Sequence, residues 1–147
     1  ADVVLEDCEL SGSGWQDAFF ERVELAGCKA VGADFAETGW RDAAWRDCRL
    51  PDAVFDRARL RRGAVSGCDL TGASLCDCQG KGWTLAETSL RSVRLLNTPL
   101  AGLDLTGCEL DGVAVSDTHA ELRGAVVTME QAAMLAKRLG LVIKGGG

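Results

Sequence analysis

Seven cysteines and one histidine are the residues of this chain with the greatest chemical reach. Thiolates bind zinc, attack carbonyls and exchange disulfides, and an imidazole is the usual base beside them. Their spacing points elsewhere. Cys8, Cys28, Cys48, Cys68 and Cys108 are separated by multiples of 20 residues, with Thr88 at the one gap. Cys76-Asp77-Cys78 does not form a zinc motif, because alternation along an extended segment sends the two sulfurs to opposite faces and no second cysteine pair follows. His119, the only histidine, must serve any Ser-His or Cys-His mechanism. The glycines never open a helix in the way a phosphate-cradling loop requires. These residues predict neither an enzyme nor a metal or cofactor site.

The spacing of 20 belongs to a repeat. Every fifth residue from Leu5 to Ala120 is a large apolar one at 21 of 24 positions, the exceptions being Ala30, Gly80 and Ala120. Chance would place about 7 there, since 42 of the 147 residues are Leu, Ile, Val, Met, Phe or Trp. Two residues earlier in each unit stands a small one, Val, Cys, Ser, Ala, Thr or Gly, at 22 of 24 positions, the exceptions being Trp83 and Leu103. A period of five fits neither a helix nor a long strand. It fits a chain that runs briefly extended, with the small and the large side chain both inward, and then turns a corner. Glycine occupies nine of the corners (12, 27, 32, 67, 72, 82, 102, 107 and 112), where positive φ is expected. Four corners close a square coil of 20 residues, so the cysteines stack in one column, and six coils at ~4.8 Å each make a rod of ~29 Å.

Within that register the cysteines read as size-selected core residues. Six of the seven occupy the inward small site, alternating with Ala, Val and Thr. Parallel side chains one coil apart hold their Cβ atoms farther apart than the ~3.8 Å a disulfide prefers. Free, buried thiols are expected, with Cys76 alone facing solvent, and His119 points outward on another side about two coils away. Gly80 leaves an inward position empty, and Trp83 in the same coil is expected to fill it. Ala30 shares its coil with the bulky Phe35, Trp40 and Trp45.

Composition agrees: 47% hydrophobic and 26% charged residues with a net charge of −6 describe a folded chain, and exclude disorder and an ordinary basic nucleic-acid binder. No apolar run reaches the roughly 18 residues of a membrane span. The first residues lack the basic start and apolar stretch of a signal peptide, so a cytoplasmic location is expected. After Leu122 the period fails. Residues 1–122 are therefore assigned to the solenoid and 123–147 to a cap. Thr128-Met129-Glu130-Gln131 has capping-box spacing, which predicts a helix from Met129 to Leu139 with Ala132, Leu135, Ala136 and Leu139 as its apolar stripe. Met134, Leu141, Val142 and Ile143 remain as surplus apolar surface and are the candidate homodimer interface. Gly145 to Gly147 read as a flexible tail.

The register sorts charge onto four sides. The side centred on Leu5 displays Glu6, Asp7, Glu24, Asp47, Glu87 and Asp104 against Arg46, a net of −5. The opposite side, centred on Trp15, displays Asp17, Asp34, Glu37, Asp56, Asp77 and Asp117 against Arg57 and Arg94, a net of −4. The side of Leu10 nets −2, and the fourth inverts the sign to +3, with Glu21, Asp42 and Glu121 outweighed on its surface by Arg22, Arg41, Arg59, Arg61, Arg62 and Lys81.

The runs Ala33-Asp34-Phe35, Cys68-Asp69-Leu70-Thr71-Gly72 and Leu103-Asp104-Leu105-Thr106-Gly107 resemble the repeat of the pentapeptide-repeat family, and the likeness covers about 120 of the 147 residues. It implies an all-β fold, a right-handed quadrilateral β-helix, with a short C-terminal α-helix. Members of the MfpA/Qnr fluoroquinolone-resistance type resemble duplex DNA in shape and charge and bind DNA gyrase. That resemblance implies a non-enzymatic, dimeric DNA mimic that modulates or protects gyrase without binding nucleic acid itself. A scaffold for another protein partner is the competing expectation. Duplex DNA carries ~17 charges over ~29 Å, whereas the two acidic sides together net −9, a dilute mimic.

Overall fold

Each short extended segment turns a corner after five residues because the corner residue adopts the left-handed conformation. Every fifth residue from Asp7 to Gly102 has positive φ, and where glycine is absent Asp, Asn, Glu, Arg or Ser takes the position. The computed structural model describes residues 2–144, so the glycine tail lies outside it. Eight of the nine predicted glycine corners have positive φ, while Gly107 does not.

Four corners bring the chain back over itself, in parallel and in register. Strand β1 (Val3–Glu6) lies under β3 (Val23–Ala26), which is followed by β4 (Gly39–Arg46), β5 (Arg59–Ser66) and β6 (Gln79–Ala86). Strand β2 (Phe19–Glu21) pairs with β4 around the corner. The partners are 20 residues apart throughout, as in Leu25↔Trp45 and Val65↔Leu85. On the other two sides single bridges keep the same step, Gly14↔Asp34↔Val54↔Ser74↔Arg94↔Ala114 for example, and β7 (Thr88–Ser89) pairs with β8 (Cys108–Glu109). The result is a four-sided β-solenoid of about five turns. The sequence period runs on toward a sixth, but there Asp104 pairs with Val126, 22 residues away, and Ala120–Leu122 forms a 3₁₀ turn.

Inside, aromatic rings form a stack that begins in the first coil and ends at Trp83. Phe20 lies 4.0 Å from Trp40, Phe35 5.1 Å from Phe55, and Trp45 5.0 Å from Trp83, measured between ring centroids. Ala30 is fully buried beneath this bulk, as its coil composition predicts. Thr38 serves the stack chemically: its hydroxyl donates to the Phe35 carbonyl at 2.6 Å and accepts from Trp40 Nε1 at 2.9 Å. The cysteine column does the same with sulfur. The thiols of Cys28, Cys48 and Cys68 donate to the carbonyls of Leu5, Leu25 and Trp45 at 3.2–3.3 Å. Cys8, expected to be buried, is half-exposed because the terminal coil covers it from one side only, and Cys76 is half-buried beside Ser74.

The helix α1 (Met129–Arg138) begins at the predicted capping box, with the Thr128 side chain and Gln131 exchanging hydrogen bonds. Gln131 Nε2 also donates to the carbonyls of Leu105 and Cys108 at 2.8 Å, closing the open end of the last turn. The face turned to the solenoid differs from the predicted stripe. Met134 and Leu135 pack against the core, whereas Ala132 is exposed and Leu139 is 47% exposed. The correction follows from Gln131, whose two bonds to the solenoid set the helix rotation and place the residues three and four positions later on the same side. Met134 is thus removed from the surplus surface, while Leu141, Val142 and Ile143 remain 59%, 93% and 40% exposed.

Candidate interaction surfaces

Outward side chains inherit the stacking of the backbone, so equivalent residues of successive coils form columns about 4.8 Å apart. One column on the Trp15 side runs Asp17, Glu37, Arg57, Asp77, Asn97, Asp117. Arg57 pairs with Glu37 at 2.9 Å and holds its carboxyl below the usual range. Asp17 has the opposite fate: a hydrogen bond with Glu37, followed by repulsion from its charge, raises its pKa. Asp77 and Asp117 are exposed and make no ion pair among the described residues. In the neighbouring columns Asp34 accepts from Gln16 at 2.7 Å, and Asp56 accepts from the Ser74 hydroxyl at 2.6 Å and the Cys76 amide at 3.0 Å.

On the Leu5 side several carboxylates keep their charge but are engaged by neighbouring groups. Arg46 grips Glu24 with two bonds of 2.8 and 2.9 Å, which lowers the Glu24 pKa. Asp104 accepts the hydroxyl and amide of Thr106 at 2.6 and 2.9 Å, which lowers its pKa too. Asp7 and Asp47 lay a carboxylate oxygen against Gly27 and Gly67 in the next coil, where any Cβ would collide with it. Glu6 and Glu87 are exposed without an ion-pair partner among the described residues. The predicted acidic residues are therefore brought onto two opposite sides, and about half of them are engaged internally.

The fourth side carries a ladder of Arg41, Arg61 and Lys81 in direct register. Arg41 stands 3.9 Å from Glu21, while Arg61 and Lys81 have no carboxylate partner among the described residues. Stacked like charges are unfavourable, so this ladder leaves the charges of Arg61 and Lys81 uncompensated on the fourth side. His119 sits away from every cysteine, half-buried in a left-handed conformation before the 3₁₀ turn. Among the described residues no three metal-ligating side chains converge.

Two features escaped the sequence. Glu121, assigned to the outer surface, is only 4% exposed and accepts from the Asn97 amide at 2.7 Å and the Ser116 hydroxyl at 2.9 Å. Trp83 does not fill the place of Gly80. Its ring lies where a side chain on Gly63 would stand, against Trp45, and the space inside Gly80 stays open. The glycine at position 63, in a column of Val3, Val23 and Ala43, was the signal for it.

This geometry is that of a repeat solenoid, whose outward side chains line its four sides. The family model for pentapeptide repeats matches residues 41–77 in eight copies, and the chain carries pentapeptide repeats. No curated protein matches by sequence. Among solved structures, a trypsin-treated form of QnrB1, a plasmid-mediated fluoroquinolone resistance protein, aligns over 97% of this chain and 80% of its own at a TM-score of 0.55 and 19% identity. Rfr23 of the cyanobacterium Cyanothece 51142 aligns over 85% of this chain and 91% of its own at a TM-score of 0.38 and 16% identity. A pentapeptide repeat protein of the Arabidopsis thaliana thylakoid lumen aligns over 90% and 75% at a TM-score of 0.36 and 20% identity. The likeness to QnrB1 is one of fold. No helix of the described residues is long and apolar enough to cross a membrane.

Proposed function

We propose that this chain is a non-enzymatic interaction protein that offers its acidic Trp15 side to the DNA-binding surface of a protein partner, and that DNA gyrase is that partner. The observation that carries the reading is the Trp15 side itself, where Asp17 stacks on Glu37, Arg57 pairs with Glu37 alone, and Asp77 and Asp117 stand exposed in the same column without an ion pair among the described residues. Carboxylates held one above another at coil spacing repel each other, and a basic groove built for phosphates relieves that repulsion. Fluoroquinolone resistance, stated for QnrB1, is consistent with it.

A supercoiling assay with and without the protein tests this proposal. Inhibition or quinolone protection is expected with no ATP hydrolysis or metal requirement of the protein's own, weakened by salt, and abolished on reversing Asp17, Asp34, Glu37 and Asp56 to Lys. Unchanged activity of that variant refutes the assigned side. A second reading, a scaffold for a partner unrelated to topoisomerases, is favoured by Arg57 and Arg94, which interrupt the acidic side; it predicts no effect on gyrase. In either case Leu141, Val142 and Ile143 are the proposed homodimer contact, because adjacent exposed apolar residues pair well with their own copy. Light scattering should give a dimer, and Leu141→Asp with Ile143→Asp a monomer.

A further inference from the structure

The solenoid is split at one place. Strand β6 pairs with β5 on one edge and with no strand on the other. The regular pattern, in which Leu10 donates to Lys29 and Gly12 to Val31 in the next coil, would have Gly80 and Gly82 donate to Pro99 and Ala101, and those bonds are not made. On its far edge the next segment bonds onward as other coils do, Leu100, Gly102 and Leu105 donating to Glu121, Gly124 and Val126, so the break is confined to its near edge. The sequence explains the parting. Gly39, Arg59 and Gln79 each donate a backbone N–H to the carbonyl 21 residues before it, and Pro99, at the same register, has none to give. Trp83 and Leu103, two large residues in successive small sites, hold the coils apart.

Behind the split lies an apolar cavity of about 330 Å³, walled by Leu60, Leu75, Leu85, Leu95, Leu100 and Trp83, with Gly80, Lys81 and Gly82 on one lip and Pro99 and Gly102 on the other. Gly80 keeps it open: a Cβ there would have no neighbour within 4 Å. Charge at the mouth is one-signed, since Lys81 stands over Arg61 in register. The lip also presents the two unused amide donors of Gly80 and Gly82.

We propose that this split coil binds a medium-length alkyl carboxylate, its chain in the leucine-lined cavity and its carboxylate at the lip between Lys81 and the amides of Gly80 and Gly82. At about 30 Å³ per water-sized group, the cavity accepts a chain of about ten non-hydrogen atoms. The wall side chains are hydrocarbon apart from the indole nitrogens of Trp45 and Trp83, and the lip supplies donors and positive charge but no carboxylate, which selects an acid over an amine or a neutral head.

The test is titration of the full chain with decanoate, decanol and decylammonium, read by calorimetry and by quenching of the wall tryptophans with an ω-bromo alkyl carboxylate of similar length. Saturable one-to-one binding is expected for decanoate, with decylammonium weaker by about tenfold or more. Lys81→Gln should weaken decanoate by up to about fivefold and leave decanol unchanged. Gly80→Leu restores the leucine that Leu60 and Leu100 place above and below it, and should remove binding while circular dichroism and melting show an intact solenoid. Gly80→Ala, which fills less, provides the same test in milder form and should weaken binding in the same direction. Non-saturable partitioning, equal binding of amine and acid, undiminished binding by both Gly80 variants, or association only with anionic vesicles would each overturn the proposal.

Discussion

Replacing Glu121 by Ala tests how the last coil is closed. The carboxylate is 4% exposed and holds the amide of Asn97 at 2.7 Å, the amide of Ser116 at 3.2 Å and the hydroxyl of Ser116 at 2.9 Å. Hydrogen bonds to a charged acceptor contribute roughly 1.5–3 kcal/mol each. Water can reach the vacated site near the exposed Asn97, so the sum falls well short of three full bonds, and a loss of about 3 kcal/mol is expected. For a chain of this size that lowers the melting temperature by roughly 6–12 °C. Glu109→Ala, which removes only the exposed pair with Arg91, is the control and should cost under about 1 kcal/mol. Burial pushes the Glu121 pKa up, but the amide and hydroxyl donors outweigh it and the net shift is downward. The stability contributed by ionisation is therefore present above the unfolded carboxylate value of about 4.3 and lost as pH falls through the folded one. The gap between parent and variant should narrow in acid when thermal melts are followed by circular dichroism. A Glu121→Ala protein melting within about 2 °C of the parent at neutral pH would refute this account of the closure.

Gly63→Ala places a methyl 2.6 Å from both the Ala43 carbonyl oxygen and the Trp83 ring. It should cost about 1–3 kcal/mol in denaturant melts and shift Trp83 fluorescence as the ring is displaced. For the cysteines, Cys76 and Cys8 should react with a thiol reagent in the native state, and the buried five only on unfolding. Burial pushes the Cys78 thiol up to about 11. The unfolded thiol ionises first, so stability is full below about pH 8.5 and declines through about 11. Alkaline melts of the parent and of Cys78→Ala should converge over that window.

The register, the four sides and the inward columns were legible in the sequence because a solenoid repeats one local decision. Each five residues contain a small inward residue, a large one and a corner, and neighbours in space are separated by a constant 20 positions, so periodicity alone identifies the contacts. The capping box at Thr128 was legible for a similar reason, since its partners are three residues apart. Tertiary structure decided whatever depends on non-periodic neighbours. Trp83 could turn toward Gly80 or Gly63, and only packing against Trp45 selected the latter. Met134 and Leu141 looked equivalent until Gln131 anchored the helix to the Leu105 and Cys108 carbonyls. Glu121 read as a surface acid because its partners Asn97 and Ser116 lie outside the 20-residue register. The split beside Pro99 required the whole hydrogen-bond ladder to be seen: a missing donor is written in the sequence, but whether the coils close over it depends on how the bulk of Trp83 and Leu103 packs between them.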